Sequence, residues 1–97
     1  MAKSFNRLVQ SDLGIVLQYY ETVGGKRLAD RFFDEITALV SAIEERPGSF
    51  HPVARGLRRA NMSNFPYHFL FRERVGSVRI LVLRHHRRHP NFGTKRE

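Results

Sequence analysis

The densest chemistry in the chain is the run His85-His86-Arg87-Arg88-His89-Pro90, which places three imidazoles beside two guanidiniums. Guanidinium groups carry planar pairs of donors that match phosphate oxygens. An imidazole, with an ordinary pKa of about 6.5, exchanges protons at neutral pH. Cleavage of RNA by 2′-hydroxyl attack needs these parts: a base, an acid, and cations on the scissile phosphate. The competing reading is a solvated basic tail. No metal or other cofactor is expected, because no carboxylate or cysteine lies nearby and Arg79, Arg84, Arg87 and Arg88 repel a cation. Arg58-Arg59 is a second basic pair. On a strand its two members point to opposite faces, so only one can join a shared site. The competing reading is that one pairs with a helix acid such as Glu44 and the other is solvated. His51 and His68 lack companions and read as surface or packing histidines.

These groups lie in a strongly basic half. Over its 97 residues the chain has 17 Lys+Arg against 9 Asp+Glu, a formal charge of +8. Residues 1–45 hold five basic and seven acidic side chains. Residues 46–97 hold twelve basic and two acidic ones, together with all five histidines. Such segregation predicts a polyanionic partner: nucleic acid, a ribonucleoprotein or an acidic protein. There is no cysteine, which excludes disulfide and thiol chemistry and fits a reducing cytoplasm. The N-terminus lacks the apolar core of a secretory signal, and no apolar run reaches the length of a membrane span. The length fits one domain, residues 1–97, with 90–97 a basic tail.

The elements that must position this chemistry follow from periodicity. Residues 4–9 alternate and predict an opening strand. Ser11 is a plausible helix cap and Asp12 suits the first turn. Leu13, Val16, Leu17 and Tyr20 follow at helical spacing until Gly24-Gly25. A second helix is expected over 26–46, with Leu28, Phe32, Ile36, Leu39, Val40 and Ile43 in one stripe. Pro47-Gly48 ends it. The short link predicts antiparallel neighbours. Strands are expected at 56–62, 66–72 and 78–85. Tyr67, Phe69, Phe71, Val78, Ile80 and Val82 should then face the helices, and His68, Arg72, Arg79 and His85 the other side. The expected fold is α+β: a strand and an antiparallel helical hairpin packed on a small, mostly antiparallel sheet, in the order β-α-α-β-β-β. Most aromatics sit at core spacing, while Phe92 lies in the tail. Ile15, Tyr19, Phe33 and Val40 fall off the buried stripe or at its margin, either as a partner groove or as a wider buried face.

Taken in order, several of these pieces resemble the RelE/ParE toxin superfamily. They are Asp12-Leu13 opening the first helix, Tyr19-Tyr20 near its end, and Leu28-Ala29-x-x-Phe32-x-x-Glu35 on the second. Pro47, Arg58-Arg59, Phe65-Pro66-Tyr67, His85-x-x-Arg88-x-Pro90 and Arg96 complete the pattern. The Phe-Pro-Tyr strand and the His-x-x-Arg-x-Pro ending look more like the ParE branch. The resemblance implies the toxin of a bacterial type II toxin–antitoxin module. It also implies a cognate antitoxin whose acidic or amphipathic C-terminal segment wraps the toxin, here against Ile15, Tyr19, Phe33 and Val40.

ParE-like members inhibit DNA gyrase, whereas RelE-like members cleave mRNA on the ribosome. On either route Arg58, Arg59, Arg79, Arg84, Arg87 and Arg88 are the expected contacts to the target or its nucleic acid. A metal-independent nuclease would rely on His85, Arg59 and Arg88. Its tail acid–base group would have to be His85, His86 or His89, because the family ending usually continues Pro-x-Tyr-Trp and this chain has Phe92 and Gly93 there. A basic nucleic-acid or protein adaptor without toxicity is the third reading.

Overall fold

Helical periodicity runs almost unbroken from Val9 to Glu45, and in the computed structural model, which describes residues 2–97, this whole stretch forms one helical segment, α1 (Val9–Glu45). A straight helix of this length would measure about 55 Å, more than the 40 Å longest dimension of the molecule. The chain turns at Gly25, whose φ of 76° and ψ of −179° leave the helix for a single residue. A side chain there would be forced into a left-handed φ. Tyr20 and Phe32, twelve residues apart, consequently come into contact, with ring centroids 5.3 Å apart and planes tilted by 36°. The break falls at the second glycine of the expected Gly24-Gly25 stop, and a single non-helical residue separates the two helical stretches.

The start of α1 also differs from expectation. Asn6, not Ser11, begins the turn: its side-chain oxygen accepts the Leu8 amide at 2.9 Å and its carbonyl accepts the Val9 amide at 3.0 Å. The opening strand β1 is correspondingly earlier, at Ala2–Phe5. After α1, a turn of 3-10 helix at Pro47–Ser49 leads to β2 (His51–Val53), β3 (Leu57–Asn61), β4 (Tyr67–Arg74) and β5 (Ser77–His85). The short β2 was not expected.

The five strands form one sheet in the order β1-β5-β4-β3-β2. β1 runs parallel to β5 and the remaining pairs are antiparallel. α1 covers one face. Phe32, Ile36 and Ile43 pack there on Ala60, Phe69, Phe71, Val78, Ile80 and Leu83. Phe32, Phe71 and Ile80 are fully buried, and each such side chain stabilises the fold by about 1.5–3 kcal/mol. Glu35 ties α1 to the β3–β4 loop by accepting the Ser63 and Asn64 amides and the Asn64 side-chain amide.

The second face is not the open basic platform expected. Leu57, Leu70, Leu81 and Val82 form a smaller apolar cluster there, and Phe92 from the tail packs on it. The reason lies in a β-bulge. Ile80 pairs with Phe71 and Val82 with Leu70, leaving Leu81 additional on β5. A bulge shifts the alternation by one residue. Val82 therefore moves to the second face, Leu83 moves to the helix face, and His85 follows it to lie against Tyr67 with ring centroids 5.1 Å apart.

Candidate functional site

The bulge divides the predicted site residues between two faces. Arg58 is on the helix side of β3. Its Nε donates to Glu73 Oε1 at 3.1 Å and its Nη1 to the Phe50 carbonyl at 2.8 Å, which makes it a clamp within the fold. Arg59 projects to the second face. Its Nε donates to Asn61 Oδ1 at 2.7 Å, and its Nη2 lies 3.2 Å from His86 Nδ1. His86 Nδ1 is in turn 3.0 Å from His68 Nδ1, and the two rings stack. His68 Nε2 accepts from Arg84 Nε at 2.8 Å. The result is a continuous line of four basic side chains, Arg59–His86–His68–Arg84. Among the described residues, no carboxylate bonds to any of the four.

His68 is the buried member, with 1% exposure. Burial disfavours its charged form, and Arg59, Arg84, His86 and His85 add to the effect, so its pKa is lowered to about 3. Burial and then Arg59 also lower His86. Both imidazoles are therefore neutral at pH 7. Sequence reading treated His68 as a lone packing histidine and gave His86 only a place among three. The signal for the pair is its register: His68 pairs with Arg84 across β4 and β5.

The tail does not extend away from β5. It folds back under the second face and is held there by arginines. Arg84 Nη1 donates to the carbonyls of Pro90 at 2.8 Å and Phe92 at 2.9 Å. Arg79 Nη2 donates to the Glu97 carbonyl at 3.2 Å. Arg96 Nη1 forms an ion pair with Asp12 Oδ2 at 2.7 Å and also donates to the Leu81 carbonyl. Gly93, at φ 79°, lies so close to the sheet that a Cβ there would sit 2.7 Å from Val82. Arg79 and Arg84 are thus engaged by the tail. Arg87 and Arg88 are exposed, with the Arg88 guanidinium 4.0 Å above the Phe92 ring.

His85, Arg59 and Arg88 do not assemble. His85 accepts the Arg87 amide and packs on Tyr67, while Arg59 engages His86 across the strand. Together with Asp12, Ile15, Arg88 and Phe92, His85 lines a cleft of about 250 Å³ between α1 and the tail. Ile15 and Tyr19 continue with Val23 as an exposed apolar stripe at four-residue spacing, 69%, 55% and 59% exposed. Phe33 and Val40 line a different groove, beside Lys3, Phe5, Leu13 and Ile36 at the free edge of β1. The four residues read as one partner surface therefore occupy two neighbouring ones.

A helical layer on one face of a mixed five-stranded sheet defines the class of protein, a small α+β fold shared with a solved structure of the chromosomal ParDE TA system from P. aeruginosa. The TM-score is 0.77 over 88% of this chain and 95% of that one, at 18% identity. Residues 4–90 match the family model for the ParE toxin of the type II toxin–antitoxin system, parDE, and the chain belongs to that family. No curated protein matches the sequence. None of the helices described is long and apolar enough to cross a membrane.

Proposed function

We propose that this chain arrests growth in the cytoplasm by inhibiting DNA gyrase, and that a cognate antitoxin neutralises it. Family membership and the ParDE neighbour support a toxin with an antitoxin partner. The observation that carries the gyrase reading over RNA cleavage is the folded-back tail. It covers the second face with Phe92 and occupies Arg84 and Arg79, while the bulge in β5 puts His85 on the far side of that strand from Arg59. A nuclease needs its base, acid and phosphate cations around one scissile bond. The exposed guanidiniums of Arg87 and Arg88, with Arg59, remain available to a target.

The antitoxin segment fits the apolar stripe Ile15-Tyr19-Val23 and the groove lined by Phe33 and Val40, where an amphipathic helix or strand buries apolar side chains and its acids meet a chain of charge +8. Purified protein added to gyrase is expected to abolish supercoiling of relaxed plasmid, and pre-mixing with antitoxin to restore it. Full supercoiling in the presence of excess protein would refute the reading.

A further inference from the structure

The line Arg59–His86–His68–Arg84 fixes where its protons sit. Arg84 Nε always carries a hydrogen, so His68 Nε2 accepts it. Neutral His68 then has its proton on Nδ1, which donates to His86 Nδ1. His86 Nδ1 is therefore unprotonated, and its single lone pair is shared between the His68 and Arg59 Nη2 donors. Neutral His86 is left with its own proton on Nε2. That atom and Arg59 Nη1 have no hydrogen-bond partner among the described residues. Protonating His86 on Nδ1 would set two N–H groups against each other and break the line, so the network holds His86 as a neutral outward donor.

Arg58 and Arg96 are each matched by a carboxylate, whereas Arg59 and Arg84 are matched by none. Two guanidinium charges with neutral imidazoles between them give a local charge of two. The missing counterpart is a dianion that offers acceptor oxygens to both outward donors. We propose that Arg59 and His86 form a binding site for a phosphate dianion, either free phosphate or the terminal phosphate of a nucleic acid. A phosphate oxygen accepts from the Arg59 guanidinium and a second from His86 Nε2–H, while Arg84 contributes field through His68. A phosphodiester, with one charge, neutralises only half of the site. This inference depends on four side chains and not on the gyrase reading, so either can fail alone.

The test is a titration of the purified protein with inorganic phosphate at neutral pH, followed through the imidazole and guanidinium nitrogens by NMR, against chloride at matched ionic strength. Saturable shifts at His86 and Arg59 are expected, with His86 bearing its proton on Nε2 before phosphate is added. Arg59→Gln, a half-exposed position, is expected to weaken binding at least about tenfold while leaving the His68–His86 tautomers intact. Competition by a short oligonucleotide with a 5′-phosphate, and not by the same strand without it, assigns the source to nucleic-acid ends. Competition by neither leaves free phosphate as the ligand. Equal competition by both overturns the assignment to a dianion. Shifts matched by chloride, affinity unchanged in Arg59→Gln, or a resting His86 protonated on Nδ1 overturn the site itself.

Discussion

Asp12 and Arg96 stand 84 residues apart and make the least exposed ion pair described in the molecule, at 11% and 15% side-chain exposure. The carboxylate also accepts the Leu83 amide, and the guanidinium also donates to the Leu81 carbonyl. One pair thus joins the first turn of α1, the bulged part of β5 and the end of the tail. Removing either partner leaves the other buried and unmatched. Asp12→Asn and Arg96→Gln should each cost about 2–4 kcal/mol in denaturant unfolding, and the double variant less than the two combined. Losses below about 0.5 kcal/mol in both would show that the tail is not anchored there.

His68 makes stability depend on pH in a calculable direction. Its folded pKa, about 3, lies below the unfolded value of 6.5. Above pH 6.5 both states are neutral and its contribution is constant. As the pH falls from 6.5 toward 3, the unfolded chain takes up a proton that the folded chain refuses. Stability then drops by up to about 1.4 kcal/mol per pH unit. His86 is shifted the same way and steepens the fall. Unfolding midpoints between pH 7 and pH 5 should decline, and His68→Gln should flatten that decline. An identical slope in the variant would place the titration elsewhere.

Strands β3 and β4 and the stripe of Phe32, Ile36 and Ile43 were readable because each obeys one period over its whole length, and β5 because it is the most apolar segment of the chain. The bulge was not. Ile80 to Leu83 is an unbroken apolar run, so slipping the alternation by one residue puts an apolar side chain on each face in either register. Only His85 records the slip, by sitting on Tyr67. The break at Gly25 was placed to within a residue, since Gly24-Gly25 marks it, but glycine spacing does not reveal that one residue suffices. The folded-back tail was hidden for another reason. Its anchors are contacts of long sequence separation, Arg96 to Asp12 and Arg84 to Phe92, and local patterning carries no trace of them. Arg59 was legible as a site residue, while its imidazole partners required knowledge of the pairing of His68 with Arg84.

Gly93 tests the close seating of the tail. Alanine there meets both a left-handed φ and a contact of 2.7 Å with Val82. Gly93→Ala should destabilise by about 2 kcal/mol and expose residues beyond it to limited proteolysis. A variant as stable and protease-resistant as the parent would mean that the tail can rest elsewhere without loss.

The two apolar surfaces should separate binding from folding. Tyr19 and Phe33 are 55% and 47% exposed, so Tyr19→Ala and Phe33→Ala should change unfolding free energy by less than about 1 kcal/mol. Each should weaken calorimetrically measured antitoxin binding by at least about 1 kcal/mol. Unchanged affinity in both variants would move the antitoxin to another surface.

Whether the chain acts on DNA topology or on transcripts is decided in growing cells. The chain is expressed without its antitoxin, and plasmid supercoiling and transcript ends are read from the same culture. Growth arrest with relaxed or broken DNA and intact mRNA is expected on the gyrase reading. Arrest with codon-linked transcript cleavage and normal supercoiling would contradict it.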